Sequence, residues 1–133
     1  MFLYRLTPSQ QQTFIGLAKK FIEVDAIVEV VEAEALQRME AETGISAASV
    51  EALPPTAEHL AVFDTPVSRN VVVLELLGLA YGDGEIHPRE NAVITEVATS
   101  FGISEGKLYE MADWVARQVA LTREAQRFLQ EDG

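Results

Sequence analysis

The chain of 133 residues contains no cysteine. This absence excludes disulfide bonds, thiolate metal sites and thiol catalysis. Basic residues are also scarce, with 10 Lys and Arg against 21 Asp and Glu, which gives a formal net charge of -11 at pH 7. Such an acidic protein repels nucleic-acid phosphates and anionic lipid surfaces, so we expect no nucleic-acid partner. A basic protein or a cation suits the charge better.

Long apolar runs are missing as well. The most apolar stretch, residues 71–81, is interrupted by Glu75 and is shorter than the roughly 20 residues of a membrane span. The first residues also lack the apolar core of a signal peptide. We therefore expect a cytoplasmic protein with no direct membrane insertion. Because Gly-x-Ser-x-Gly, Walker A and Gly-x-Gly-x-x-Gly motifs do not occur, we expect no enzymatic activity.

What the chain does contain is helical periodicity. Thr7 as N-cap, Pro8 and Gln10 form a capping-box pattern, and Gly44 and Gly102 are predicted helix stops. Apolar residues occupy most of the circumference of the segment from residue 67 to 81, which is typical of a central, buried helix. The pattern predicts an all-α bundle of about seven helices. Their approximate ranges are 8–22, 28–42, 57–63, 67–81, 88–101, 104–119 and 122–131, with a further short helix within 46–53.

The two halves of the chain repeat each other. Gly-Leu-Ala occurs at residues 16–18 and 78–80, and Gly-Ile-Ser occurs at 44–46 and 102–104. Between these tripeptides the aligned pairs are Asp25 with Asp83, Val28 with Ile86, Glu32 with Glu90, Leu36 with Ile94 and Met39 with Val97. We interpret this as a duplicated helix–turn–helix unit within one domain of residues 1–133. Its predicted parts are unit one at about 7–46, a linker with short helices at 47–65, unit two at about 66–104, and C-terminal helices at 104–131.

A resemblance to a known protein family lies in residues 76–104, LLGLAYGDGEIHPRENAVITEVATSFGIS. In this pattern an apolar helix ends in Ala-x-x-Asp-Gly-x-Ile/Val. It is followed by Pro-x-Glu, then by a second apolar helix, and then by Gly-Ile/Leu-Ser. This pattern is similar to the tellurite-resistance TerB family and to its relative, the N-terminal domain of a membrane-anchored DnaJ-like co-chaperone. The resemblance covers most of the chain. It implies an all-helical bundle of two similar units, a link to tellurite and stress resistance, and an acidic surface for divalent cations or partner proteins. The chain departs from the pattern at Ala26, where the family has glycine, and at Val30, which is aligned with Pro88.

The turn at residues 80–90 has two interpretations. An EF-hand is excluded, because its first and third ligand positions would be Leu79 and Tyr81. A weaker, partly hydrated Mg²⁺ or Ca²⁺ site formed by Asp83, Glu85 and Glu90 is one interpretation, with Zn²⁺ as the ion if the imidazole of His87 takes part. Asp25, the repeat equivalent of Asp83, would join such a site if the two aspartates lie at the same end of the bundle.

The second interpretation is a capped hinge without an ion. Gly82 and Gly84 permit the turn, His87 is the N-cap, Pro88 follows it, and Glu90 suits the positive end of the next helix.

The acidic stretch of the first unit is a candidate interaction face. Asp25, Glu29 and Glu32 lie at i, i+4 and i+7, so they share one helix face, which is either solvated or docks a basic protein. We expect Glu29, Glu32 and His87 to belong to this face. Three C-terminal arginines could pair with the acidic face of another copy, which predicts a homodimer: Arg117, Arg123 and Arg127. Trp114, in a stripe with Leu108, Met111 and Val115, is expected to pack in the core.

Together these features predict a non-enzymatic acidic interaction or scaffold domain of a tellurite- or stress-resistance-type system. A divalent cation (Mg²⁺, Ca²⁺ or Zn²⁺) would tune its interactions. The alternative is a divalent-metal-binding protein in which ion binding is itself the function.

Overall fold

The computed structural model describes residues 1–23, 30–82 and 86–130, with the main chain alone for residues 30–32. Within those ranges the chain forms α-helices and two short 3₁₀ turns, without any β-strand. The helices are α1 (Pro8–Glu23), α2 (Val30–Thr43), α3 (Ala57–Leu60), α4 (Pro66–Ala80), α5 (Pro88–Ser100) and α6 (Glu105–Gln130), and the 3₁₀ turns are Leu3–Arg5 and Ala47–Ser49. The all-α prediction is confirmed.

Reciprocal capping boxes open two of the described helices. Before α1, the Gln10 N–H donates to Thr7 Oγ1 at 3.2 Å, and the Thr7 N–H donates to Gln10 Oε1 at 3.0 Å. The predicted capping box is thus confirmed. A second box opens α4, where the Ser68 N–H donates to Thr65 Oγ1 at 3.1 Å and the Thr65 N–H donates to Ser68 Oγ at 3.1 Å. Each box satisfies two backbone donors that the helix itself leaves unpaired.

Both predicted glycine stops are confirmed. Gly44 directly follows α2 and Gly102 lies two residues beyond α5, and each has a φ of 74°. This left-handed conformation costs glycine little, because glycine has no Cβ. Matching helix ends in the two Gly-Ile-Ser segments are what a duplication requires. The duplication itself stays a prediction.

The helix α4 is the centre of the bundle, as its apolar circumference predicts. It contacts α1, α5, α6 and the turn Leu3–Arg5. Its buried apolar side chains are Val71, Val72, Val73, Leu76, Leu77 and Ala80. Burying each of the larger ones contributes about 1.5–3 kcal/mol before the entropic cost.

The segment between α2 and α3 packs on α1. The Leu53 N–H donates to the Gly16 carbonyl oxygen at 2.9 Å. The ammonium of Lys19 donates to the carbonyl oxygens of Ala47 and Val50 at 2.8 and 2.7 Å. Ala47 and Val50 also form a small apolar cluster with Ile15, separate from the main core.

The structure corrects the boundary predicted at residues 120–121. Instead of two C-terminal helices, α6 is continuous over 26 residues. Ala120 and Leu121 both favour helix, and no proline or glycine interrupts α6 after Gly106. Among the described helices, none is both long enough and apolar enough to cross a membrane.

Candidate functional site

The predicted cation site is described only in part. Asp25, Asp83 and Glu85 lie outside the described residues. The fourth residue, Glu90, is in the first turn of α5 and is only 4% exposed. Within the part of the chain that the structure describes, no three His, Asp or Glu side chains form a group that could hold a metal ion. The cation site as a whole stays a prediction.

The start of α5 has the arrangement expected of a capped turn. His87 is the N-cap with an extended backbone, Pro88 is the first helical residue, and Glu90 supplies a carboxylate to the first turn. Negative charge is favourable there because the helix dipole is positive at this end. The His87 side chain makes no capping hydrogen bond, although His87 and Glu90 both have interaction partners.

The predicted interaction face is also described in part. Glu29 lies outside the described residues, Glu32 is in the first turn of α2, and His87 is half-buried at the start of α5. This face stays a prediction too.

A groove lies next to the connection between α4 and α5. Its volume is about 470 Å³, and its walls are the end of α4, the first half of α5 and the first half of α6. Tyr81 and Ile86 border it from the two sides of that connection. The other lining residues are Leu77, Asn91, Ile94, Thr95, Glu105, Leu108, Tyr109, Ala112, Asp113 and Ala116.

The groove joins an apolar floor to a polar, acidic rim. Leu77 and Ile94 belong to the main core, while Tyr109 is 77% exposed. Glu105 and Asp113 bring carboxylates to the rim, and Asp113 Oδ2 pairs with Arg117 Nε at 3.0 Å, while no Lys or Arg is among the described lining residues. Such a surface can hold an apolar side chain while carboxylates pair with a neighbouring cation.

The lengthwise alignment of α4 and α6 sets the shape of this groove. The Lys107 ammonium donates to Asn70 Oδ1 at 2.8 Å near the start of both helices, and Arg123 Nη2 donates to the Gly82 carbonyl oxygen at 3.3 Å near the end of α4. The two helices therefore run side by side in the same direction. This places the carboxylate of Glu105, in the first turn of α6, on the groove rim.

A family model described as "Tellurite resistance protein TerB" matches residues 18–113, which is more than half of the chain. The chain belongs to the TerB family. The resemblance in residues 76–104 is thereby confirmed. The match begins within α1 and ends within α6, so the last seventeen residues of α6 lie outside the TerB match. Neither a curated protein nor a solved structure matches the chain.

Sequence reasoning did not find the groove of this TerB domain. Tyr109, Ala112 and Ala116 lie at i, i+3 and i+7, so they share one face of α6 beside the core stripe. An aromatic residue aligned with two small residues was the available signal. The contribution of α4 and α5 to the groove depends on tertiary packing, which the spacing does not reveal.

A charge cluster lies elsewhere in this TerB domain, on the other side of α4. Glu75 is buried, and its Oε1 accepts from the Phe2 N–H at 2.6 Å and lies 3.0 Å from the Met1 ammonium. That ammonium is also 2.8 Å from Glu42 Oε1. Burial lowers the pKa of the Met1 amino group, but hydrogen bonds and charge from Glu42 and Glu75 outweigh burial and raise this pKa above its usual value of 8.0. The cluster fixes the N-terminal segment against α4.

Proposed function

We propose that this TerB-family chain is a non-enzymatic, cytoplasmic interaction domain of a tellurite- or stress-resistance-type system. Its groove between α4, α5 and α6 binds a partner segment that carries apolar and basic side chains. One observation carries the proposal: the groove has an apolar floor, the carboxylate of Glu105 and the Arg117-paired carboxylate of Asp113 on its rim, and no Lys or Arg among its described lining residues.

Size and charge both suit such a segment. A volume of about 470 Å³ lies within the usual range of ligand sites, roughly 300–1,000 Å³. The net charge of -11 attracts a basic partner and accelerates its encounter, while the apolar floor retains it after docking. An amphipathic helix that presents large apolar residues beside Lys or Arg has the matching chemistry.

The test is a selection of helical peptides from a random display library on the wild-type chain. We expect the selected peptides to combine large apolar residues with Lys or Arg. Glu105→Lys should weaken their binding by about tenfold or more. Glu58→Lys is the matched control, because Glu58 is likewise an exposed acid in a first helical turn but lies away from the groove.

Two results would contradict this proposal. Selected peptides without basic residues would show that the rim carboxylates do not contribute to partner binding. Equal weakening by Glu105→Lys and Glu58→Lys would mean that only the overall charge matters.

The second candidate function is divalent-cation binding as the role of the protein. It is supported by the sequence of the α4–α5 connection, where Asp83, Glu85 and Glu90 follow each other closely, and by the repeat equivalence of Asp25. Calorimetric titration with Mg²⁺, Ca²⁺, Mn²⁺ and Zn²⁺ on the wild type and on Asp83→Ala tests it. Micromolar binding that the variant loses supports this function, and weak, equal heats from both proteins reject it.

The effect of a bound cation on peptide affinity in the groove can be measured separately. The α4–α5 connection borders the groove through Tyr81 and Ile86, so an ion bound there would change the affinity for a selected peptide. Equal peptide affinities with and without the ion would reject such tuning and leave the groove function intact.

A further inference from the structure

The last part of α6 projects from the bundle. From residue 120 to residue 130 every side chain is exposed, a length of about 16 Å at the helical rise. Three large apolar side chains are nevertheless on this projection, Leu121 at 64%, Phe128 at 69% and Leu129 at 84% exposed. They contribute little to the core of their own chain. An apolar surface of this kind is typical of a contact with another molecule.

Leu121 and Phe128 continue a heptad pattern along α6. Met111, Trp114, Gln118, Leu121, Ala125 and Phe128 are separated by steps of three and four residues, and we name this row the α6 stripe. Alternating steps of three and four place a row of residues along one seam of a helix, as in coiled coils. Trp114, expected in the core, is instead 37% exposed and lies next to Met111 at the buried end of the stripe.

The stripe begins at an apolar pocket. Phe2, Leu74, Glu110, Met111 and Trp114 line this pocket, which has a volume of about 240 Å³. The rings of Phe2 and Trp114 form one side of it, with centroids 5.9 Å apart. One end of the stripe thus presents a cavity, and the other end presents the protruding ring of Phe128.

We propose that a second copy of this chain covers the α6 stripe, with the two α6 helices antiparallel and Phe128 of each copy in the pocket of the other. In this register Phe128 faces Met111 of the second copy, Ala125 faces Trp114, and Leu121 faces Gln118. The smallest residue of the stripe therefore faces the largest, and the protruding ring faces the cavity. Two-fold symmetry makes every contact occur twice.

The charges beside the stripe favour the antiparallel arrangement. Arg117 and Glu124 occupy the same flank, one heptad apart. Arg117 Nε lies 3.0 Å from Asp113 Oδ2 of its own helix. When two such helices pair antiparallel in this register, the guanidinium of Arg117 also faces Glu124 of the other copy, in two symmetric pairs. A parallel pair would place Arg117 opposite Thr122 and Glu124 opposite Leu129, without any opposite charges.

The C-terminal part of the chain is much less acidic than the rest. Residues 114–133 contain three arginines and three acidic residues, whereas residues 1–113 contain seven basic and eighteen acidic residues. Pairing two copies through this part therefore brings together the least repulsive surfaces of two acidic chains.

Sedimentation equilibrium tests the dimer, since the monomer mass is 14.6 kDa. We expect twice this mass for the wild type, and at least a tenfold weaker dimer for Phe128→Asp. Val67→Asp is the control, because Val67 is an exposed apolar residue outside the stripe. Helical content measured by circular dichroism confirms folding of both variants. A wild type that stays monomeric up to about 1 mM would overturn the proposal and leave the stripe to a different partner.

Charge reversal tests the predicted ion pairs. Arg117→Glu and Glu124→Arg should each weaken the dimer, because each places like charges opposite one another. The double variant Arg117→Glu/Glu124→Arg should restore it. Additive weakening in the double variant would overturn the register.

Cross-linking tests the orientation, and the absence of native cysteine makes single-cysteine variants specific. A mixture of Arg117→Cys and Glu124→Cys chains should be joined by a short bismaleimide. Phe128→Cys alone should not be joined to itself, because the two sites would lie about 25 Å apart along the helices. Efficient joining of Phe128→Cys to itself would indicate parallel helices and overturn the proposal. Each of these results is independent of peptide binding in the groove.

Discussion

The Leu53 N–H donates to the Gly16 carbonyl oxygen at 2.9 Å, so the segment after α2 lies directly on α1. A Cβ at Gly16 would lie 2.7 Å from Leu53 Cδ1 and 2.8 Å from the Glu51 carbonyl oxygen. We expect Gly16→Ala to lower the free energy of unfolding by about 1–3 kcal/mol, because the linker must move away. Urea denaturation monitored by circular dichroism measures the change.

Gly78→Ala is the matched control for this prediction. Gly78 is the repeat equivalent of Gly16, and the nearest atom to its added Cβ is Met1 Cε at an ordinary 3.5 Å. We expect unchanged stability or a gain of up to about 1 kcal/mol, because alanine has a higher helix propensity than glycine. Equal losses in the two variants would contradict the close approach of the linker.

Stability at alkaline pH should depend on the Met1 ammonium. Its pKa in the folded chain is raised above 8.0, so its stabilising contribution is complete below about pH 8 and is lost as the pH rises through the folded pKa. We expect the free energy of unfolding of the wild type to fall over this range relative to a Glu42→Gln/Glu75→Gln variant. Urea midpoints measured at a series of pH values give the comparison.

The control for the pH series is Glu58→Gln, which removes an exposed carboxylate far from Met1. Its pH profile should parallel that of the wild type. Parallel profiles for the wild type and the Glu42→Gln/Glu75→Gln variant would instead show that the ammonium does not contribute.

The cap of α4 should be worth a measurable part of the stability. Thr65→Ala removes the oxygen that accepts from the Ser68 N–H, and we expect a loss of about 1 kcal/mol. Thr122→Ala is the comparison, because Thr122 is an exposed residue within α6 whose hydroxyl donates back to Gln118 and caps no helix end. Thermal or urea denaturation should give a lower free energy of unfolding for Thr65→Ala than for Thr122→Ala, and equal values would contradict the role of the cap.

Filling the groove should abolish partner binding without unfolding the chain. Ala116 lines the groove and is half-buried, so Ala116→Trp places an indole in the volume that the partner side chain would occupy. We expect selected peptides to lose at least about tenfold in affinity. Ala120→Trp, one turn further along α6 and exposed, should bind normally. Full binding by Ala116→Trp would place the partner elsewhere.

Local features of the fold were predictable from the sequence because they depend on neighbouring residues. The Thr7–Gln10 capping box, the stop at Gly44 and the buried character of α4 each follow from a few consecutive side chains. The boundary predicted at residues 120–121 was wrong, because Ala120 and Leu121 both favour helix and α6 continues through them.

Features that depend on tertiary packing were not predictable. Trp114 shares helical spacing with Leu108, Met111 and Val115, but Val115 is fully buried whereas Trp114 is 37% exposed with its ring against Phe2. Spacing identifies the face of a helix and not how far the neighbouring elements extend over it. For the same reason the groove beside Tyr109 appears only when α4, α5 and α6 are placed together.

The continuity of α6 has a mechanical consequence. One uninterrupted helix of about 39 Å forms a wall of the groove at its start and carries the exposed Phe128 near its end. Without a hinge between them, a displacement at the first end is transmitted to the second, as in a lever. A tilt of about 10° around the groove would move the far tip by about 5 Å. Any tilt of α6 at the groove would therefore move the exposed surface around Phe128 as well, because one rigid helix connects them.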